Sequence, residues 1–291
     1  MRAVEILATG PSALVQDLGR PGNAHLGVPP SGALDAPALR LANRLAGNPE
    51  QAAGIESVLG GLRLRALTSC TAAVTGPAVA VTAGGRGRGT HVPVHLAAGD
   101  VLELGTPATG LRCYVALSGG ILAEPELGSM ATDVLSGIGP PPLSAGETLR
   151  LGDPSGIPVG EDALSPSTPP STLDVELLLG PRDDWFGEPV SQLARAWTVT
   201  PESNRVGVRL DGPPLRRAEG FADAELPSEG IVTGAVQVPP DGLPVVFLAD
   251  HPTTGGYPVL GVVRAAALPS LAQARPGTSV RFRPSSTVWS E

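Results

Sequence analysis

Pro244-Val245-Val246-Phe247-Leu248-Ala249 is short, β-branched at its centre and bounded by turn residues at both ends, the pattern of a buried strand. Outward on one side lie Leu226-Pro227-Ser228-Glu229-Gly230 and the run from Gly234 to Gly242. On the other side lies Asp250-His251-Pro252-Thr253-Thr254-Gly255-Gly256-Tyr257-Pro258. A stiff strand holds the loops at its ends in register, and loops carried on a rigid scaffold are where small-molecule chemistry concentrates. Two readings are open: an ordinary hairpin corner, or a binding site. The density of Ser228, Glu229, Gln237, Asp250, His251, Thr253, Thr254 and Tyr257 within one short span favours the second.

The rest of the composition agrees with a β-rich chain. Its 291 residues suffice for one large or two modest domains, and 42% hydrophobic against 16% charged residues is globular. Gly (38) and Pro (32) are abundant but spread without period, which points to many turns and excludes collagen. No apolar run reaches the roughly 20 residues of a membrane span, and Met1-Arg2-Ala3 leads into a strand-like segment, so the expected compartment is the cytoplasm. A net charge of −8 and only 3% aromatics oppose nucleic-acid binding. Cys70 and Cys113 sit in strand-like sequence without metal-ligand spacing and read as buried thiols. All twenty basic residues are Arg. Without lysine there is no Walker A loop, no Schiff base and no biotin attached to this chain.

Along the chain, Val4 to Leu7 and Ser12 to Asp17 read as strands about the Gly10-Pro11 turn. Leu34, Ala38, Leu41 and Leu45 recur at helical spacing, with Asp35 as cap and Gly47 as terminator, predicting a helix over 35–46. Asn48-Pro49-Glu50-Gln51 reads as the cap of a second short helix. A Gly turn followed by apolar/polar alternation recurs at 98–104, 145–151 and 276–282, hinting at two related β-rich halves or a repeated barrel corner. The segment 153–172 reads as a Pro/Ser-rich linker between an N-terminal domain, 1–152, and a C-terminal one, 173–291, which opens on the strand from Asp174. Short helices are expected within 187–197 and 268–274. His91 and His95 share a face of a predicted strand, but no third ligand lies nearby and no metal is expected.

Three clusters hold chemistry. One is Gln16-Asp17-Leu18-Gly19-Arg20 with His25, Ser31, Gly32 and Asp35; another is Pro201 to Arg209; the third surrounds the opening strand. Asp35 has the alternative of simply capping a helix. Arg205 and Arg209, four apart, share a face if the segment is a strand, and a solvated pair is the plain alternative. Alternation points Gln237 away from Val236 and Val238, where exposure or a hydrogen bond would satisfy it.

Together the clusters resemble a known family. Gln16 to Arg20, His25-Leu26-Gly27-Val28-Pro29, Ser31 to Asp35, Leu226 to Gly230, Gly234 to Pro239 and Pro252 to Pro258 are similar to the signatures of the 5-oxoprolinase C subunit, also called KipA-like or allophanate hydrolase subunit 2-like. The resemblance spans nearly the whole chain. It departs from the family pattern at Met130, Asn204 and His251. It implies a mainly β fold of cyclophilin-like barrels in two halves, and a cytoplasmic hetero-oligomer with two partners, a KipI-like B subunit and an amidohydrolase-like A subunit. That assembly would cleave 5-oxoproline to glutamate at the expense of ATP, at a nucleotide site the resemblance leaves unknown. Two other functions follow from the same likeness: a regulatory module antagonising a KipI-like kinase inhibitor, and half of a urea or amide carboxyltransferase served by a partner's carboxybiotin. For a flat amide, Ser228, Gln237, Thr253, Thr254 and Tyr257 would supply binding groups, and Arg205 first, Arg209 second, would read a carboxylate. Glu229, Asp250 or His25 would handle the proton. Arg205, Gln237 and Thr254 are then expected around one cleft.

Overall fold

The computed structural model describes residues 1–160 and 170–285. Contacts divide these into two units, one of residues 1–20 and 31–160, the other of 21–30 and 170–285. Part of the expected linker, 161–169, lies outside the described residues. Both units are mainly β, as expected. Among the described residues no helix is long and apolar enough to cross a membrane.

The first unit is two sheets and a helix. Seven strands pair in the order Ile121–Leu122, Thr148–Leu151, Ala3–Thr9, Leu62–Ala66, Val101–Leu104, Val81–Ala83 and Arg86–Arg88. Five more pair as Ser12–Gln16, Gly54–Val58, Arg112–Leu117, Cys70–Thr75 and Pro93–Leu96. Side-chain alternation explains the layering. Cys113, Val115 and Leu117 join Val4, Ile6 and Leu64 in a core between the sheets. Tyr114 and Ala116, on the other face, pack with Leu39, Leu41, Ala42 and Leu45 of the helix Ala36–Ala46. The strand Arg112–Leu117 is therefore buried on both faces. The helix starts where its cap predicts: the Asp35 carboxylate accepts from the Ala38 amide at 3.1 Å, and Gly47 ends it in the left-handed region at φ 77°.

The second helix predicted from Asn48 does not form. Residues 49–52 make a turn, with the Ala52 amide donating to the Pro49 carbonyl at 3.0 Å. Asn48 is spent on tertiary bonds instead. Its side-chain amide donates to Asn43 Oδ1 (3.0 Å) and the Leu117 carbonyl (2.9 Å), while its Oδ1 accepts from the Gly119 amide (2.8 Å). A capping residue with better partners across the fold stops acting as a cap. His91 and His95 also part company. The strand begins at Pro93, so His91 precedes it in a left-handed conformation (φ 62°) and is buried, whereas His95 is exposed.

The second unit is a closed barrel of seven strands: Thr172–Leu179, Val259–Val263, Ala235–Gln237, Val245–Phe247, Gly207–Asp211, Ala196–Val199 and Ser279–Ser285. The expected short helices appear at Pro189–Leu193 and Leu268–Ala272. Alternating side chains fill the interior: Trp197, Val280, Phe282, Val175, Val208, Val236 and Val246 are buried, while Asp174, Glu176 and Arg281 between them are exposed. The three recurring segments keep the predicted alternation, with Leu102 and Leu104, Leu149 and Leu151, and Val280 and Phe282 buried. The first two lie in the seven-stranded open sheet and the third in the barrel.

Outside this barrel, Ala235, Val245, Phe247 and Val259 form a second apolar cluster under Ile231. Val259 reaches that outer face because the pairing with Ala235–Gln237 shifts register between Val236 and Gln237. A two-stranded ribbon, Glu229–Gly230 with Thr254–Gly255, lies beside it, and a Cβ on Gly255 would meet Ile231 Cδ1 at 2.6 Å and Gln237 Nε2 at 2.8 Å.

Candidate functional site

The polar cluster at Gln16 to Asp35 is a structural knot. Gln16 Nε2 donates to the Thr132 carbonyl at 2.8 Å. The Asp17 carboxylate accepts from the Gly19 amide (2.7 Å), the Ser129 hydroxyl (2.6 Å) and the Met130 amide (2.7 Å). Arg20, 2% exposed, donates to the carbonyls of Glu126 and Ala131 at 3.2 and 2.5 Å. These bonds satisfy the backbone of a loop that has no sheet partner, so the motif's first duty is to hold residues 126–132 in place. Asp35 caps its helix, and its amide is taken up inside the fold. That amide donates to the Tyr114 hydroxyl at 2.8 Å, which donates in turn to Glu56 at 2.8 Å. Burial and the Glu56 carboxylate push the Tyr114 phenol well above its ordinary range. His25 groups with the barrel unit, is exposed, and sits 3.1 Å from the Gly22 carbonyl through Nδ1.

In the barrel unit the predicted residues separate into a buried base and a surface ribbon. Arg205 and Arg209 do not share a face, because the strand starts only at Gly207. Arg209 is exposed; Arg205 is buried and grips Asp250 with two bonds, Nε to Oδ2 at 2.8 Å and Nη2 to Oδ1 at 3.0 Å. Asp250 is 0% exposed, so this is a desolvated, bidentate ion pair. Next to it, His251 Nδ1 lies 2.8 Å from the Pro252 carbonyl and Nε2 lies 3.1 Å from Thr233 Oγ1. A carbonyl only accepts, so Nδ1 carries a proton and donates to Pro252, while Nε2 pairs with the threonine hydroxyl.

Glu229 stands at the ribbon and is held by Arg182, whose Nε donates to Oε2 at 3.1 Å and whose Nη2 donates to Oε1. That partner keeps the Glu229 carboxyl below the usual carboxylate range, which makes it a weaker base. Thr254 is exposed opposite Gly230, and the Thr253 carbonyl accepts from the Ile231 amide at 2.9 Å. Gln237 is buried, on the outer face with Val245 and Val259, and its Nε2 donates to the Tyr257 carbonyl at 3.1 Å. Alternation turns it away from Val236 as expected, and it is a hydrogen bond under the ribbon, not exposure, that satisfies it.

A cavity of about 720 Å³ opens beside this assembly, within the barrel unit. Leu226, Gly256, Tyr257 and Val238 to Pro240 are among its lining residues, and so are the charged Arg216, Arg217, Asp223 and Glu225. Of the residues singled out from sequence, Tyr257 lines it. Gln237 stands behind that wall through its bond to Tyr257, and Ser228 lies behind Gly256, where a Cβ would come within 3.8 Å of its hydroxyl. Arg205, Arg209, Asp250, Thr253 and Thr254 are not among the lining residues. The charged lining residues Arg216, Arg217, Asp223 and Glu225 escape the sequence reading. Their signals are an Arg216-Arg217 doublet after Pro213-Pro214 and the Trp185-Phe186 pair in an aromatic-poor chain. Trp185 stacks on Phe221 at 4.8 Å between centroids, and the Arg217 guanidinium lies 5.5 Å from the Trp185 ring centre. No group of three or more His, Cys, Asp or Glu side chains fit to hold a metal occurs among the described residues.

The chain matches the carboxyltransferase domain, subdomains A and B, over residues 26–284. It is 36% identical to the C subunit of 5-oxoprolinase from Escherichia coli, an alignment covering 96% of this chain and 90% of that one. It is 32% identical to urea amidolyase of Saccharomyces cerevisiae over 97% of this chain but only 16% of that much longer protein. The crystal structure of the K. lactis urea amidolyase superposes with a TM-score of 0.89 at 30% identity, covering 97% of this chain and 18% of that one. A mainly β chain with this barrel, matched almost from end to end, belongs to the carboxyltransferase domain family that includes the C subunit of 5-oxoprolinase.

Proposed function

We propose that this chain is the C subunit of an ATP-dependent 5-oxoprolinase that converts 5-oxo-L-proline to L-glutamate, working with two partners, a KipI-like B subunit and an A subunit. The observation that carries the reading is the near full-length relationship to a 5-oxoprolinase C subunit, with the cavity walled in part by Gly256 and Tyr257. Its role is to bind and orient the flat amide. Tyr257 and the Val238 to Pro240 turn offer apolar flanks to a small ring, and Gln237 positions Tyr257 by holding its carbonyl. Two of the three candidate bases argue against a hydrolytic step supplied here: Asp250 is buried against Arg205, and Glu229 is neutralised by Arg182. Nucleotide chemistry is assigned to the partner chains. The sequence has no lysine to reach a nucleotide's phosphates, so the residues present do not fit the familiar phosphate cradle.

Mixing this chain with its two partners, ATP and 5-oxoproline should release glutamate, and leaving this chain out should abolish release. Glutamate formation by the two partners alone at the full rate would end the reading. The relationship to urea amidolyase favours a second reading, an amide carboxyltransferase half. Transfer of a carboxyl group from free carboxybiotin to urea, with no turnover of 5-oxoproline, would select it.

A further inference from the structure

Arg216 and Arg217 line the cavity, Arg182 holds the ribbon's Glu229 and Arg205 holds Asp250, and three of these four are already occupied. Arg205 is bound to Asp250 by two hydrogen bonds and buried. Arg182 is bound to Glu229 in the same two-pronged way. Arg217 donates through Nη1 to the carbonyls of Phe221 (3.3 Å) and Ala224 (2.8 Å) and lies over the Trp185 ring. Arg216 differs. Its main chain is fixed from three directions: its amide donates to Gln192 Oε1 at 2.7 Å, and its carbonyl accepts from Gln192 Nε2 and the Gly187 amide, both at 3.2 Å. Its side chain is exposed, lines the cavity, and makes no hydrogen bond or ion pair among the described residues. A cation on a rigid mount beside a cavity, with nothing to bind, is arranged for an anionic ligand group.

Building on the proposed function, we infer that Arg216, not Arg205, reads the carboxylate of a lactam acid in this cavity, and that Asp223 and Glu225, which also line it, select its orientation. In 5-oxoproline the ring N–H and the carboxylate sit on one carbon, so a donor and an anion leave the ring side by side. A lining that holds one unspent guanidinium and two carboxylates offers partners for that pair. The acids repel the ligand's carboxylate toward Arg216 and accept from its N–H.

The test is the affinity of the full chain for 5-oxo-L-proline and for the parent lactam, 2-pyrrolidinone, by calorimetry at fixed salt. The wild type should prefer the acid. Arg216→Ala should lower affinity for the acid by about 10- to 100-fold and leave 2-pyrrolidinone binding within about twofold. Arg216→Lys should fall between, because an ammonium keeps the charge but loses the planar fork. Asp223→Asn combined with Glu225→Gln should weaken 2-pyrrolidinone, which loses its N–H acceptors, and weaken the acid less, because the repulsion on its carboxylate is removed as well. Preference for the acid that survives Arg216→Ala overturns the inference, as does a wild type that binds neither ligand or binds both alike. The assembled enzyme separates the two levels. Glutamate release unaffected by Arg216→Ala removes this assignment and keeps the proposed function, whereas a wild-type assembly inert toward 5-oxoproline removes the function itself.

Discussion

Arg205 shows how far one side chain's role depends on its neighbour. Sequence makes it the first choice to meet a ligand's carboxylate; in the fold it meets Asp250, 45 positions away, with both partners desolvated. Breaking such a pair strands a charge without water, so Asp250→Ala should cost about 3–5 kcal/mol in urea unfolding, while replacing both residues with leucine should cost much less. A loss below about 1 kcal/mol for Asp250→Ala would show the pair to be hydrated. Glu229 is the surface counterpart, about a third exposed and bound to Arg182. Its folded carboxyl is held below its ordinary range, so its contribution is present above the unfolded-state value and is lost as pH falls through the folded one. Wild type should exceed Glu229→Gln in urea midpoint at about pH 7 by a small margin that closes toward about pH 3. A gap that widens on acidification would contradict the ion pair.

At the scale of elements, local pattern is a good guide wherever local interactions decide. Asp35, the apolar stripe and Gly47 announce their helix because a cap, a period and a left-handed terminator are all properties of neighbouring residues. Asn48 carries an equally good cap signal and makes no helix, since Asn43, Leu117 and Gly119 compete for it across the fold. The ribbon Glu229–Gly230 with Thr254–Gly255 is only half legible. Its glycines are visible as a site motif, but the reason for one of them is a neighbour remote in sequence. A Cβ on Gly255 would press on Ile231 Cδ1 and Gln237 Nε2 at 2.6 and 2.8 Å, the ends of two side chains that would have to shift to admit it. Gly255→Ala should therefore lift the ribbon, destabilising the chain by about 1–3 kcal/mol and loosening the Tyr257 segment. Hydrogen exchange at the Ile231 amide, which donates to the Thr253 carbonyl, should speed up; unchanged protection would mean the ribbon accommodates the methyl group.

For the whole molecule, the sequence alone established a β-rich chain without lysine, acidic overall, and a likeness to one family along nearly its full length. Composition, strand alternation and turn residues are short-range properties, so they survive being read in one dimension. The absence of lysine likewise rules out a Walker A loop and a biotinyl-lysine within this sequence. Only the tertiary structure decided that the barrel closes, that its outer face is partly covered by a ribbon, and that the polar cluster splits into a buried ion pair and a cavity wall. Those outcomes depend on which charges meet and which are left to solvent. Pairing of that kind is fixed by strands brought together from distant positions, and nothing in the order of residues along the chain says whether an arginine will find its carboxylate inside the protein or in a ligand.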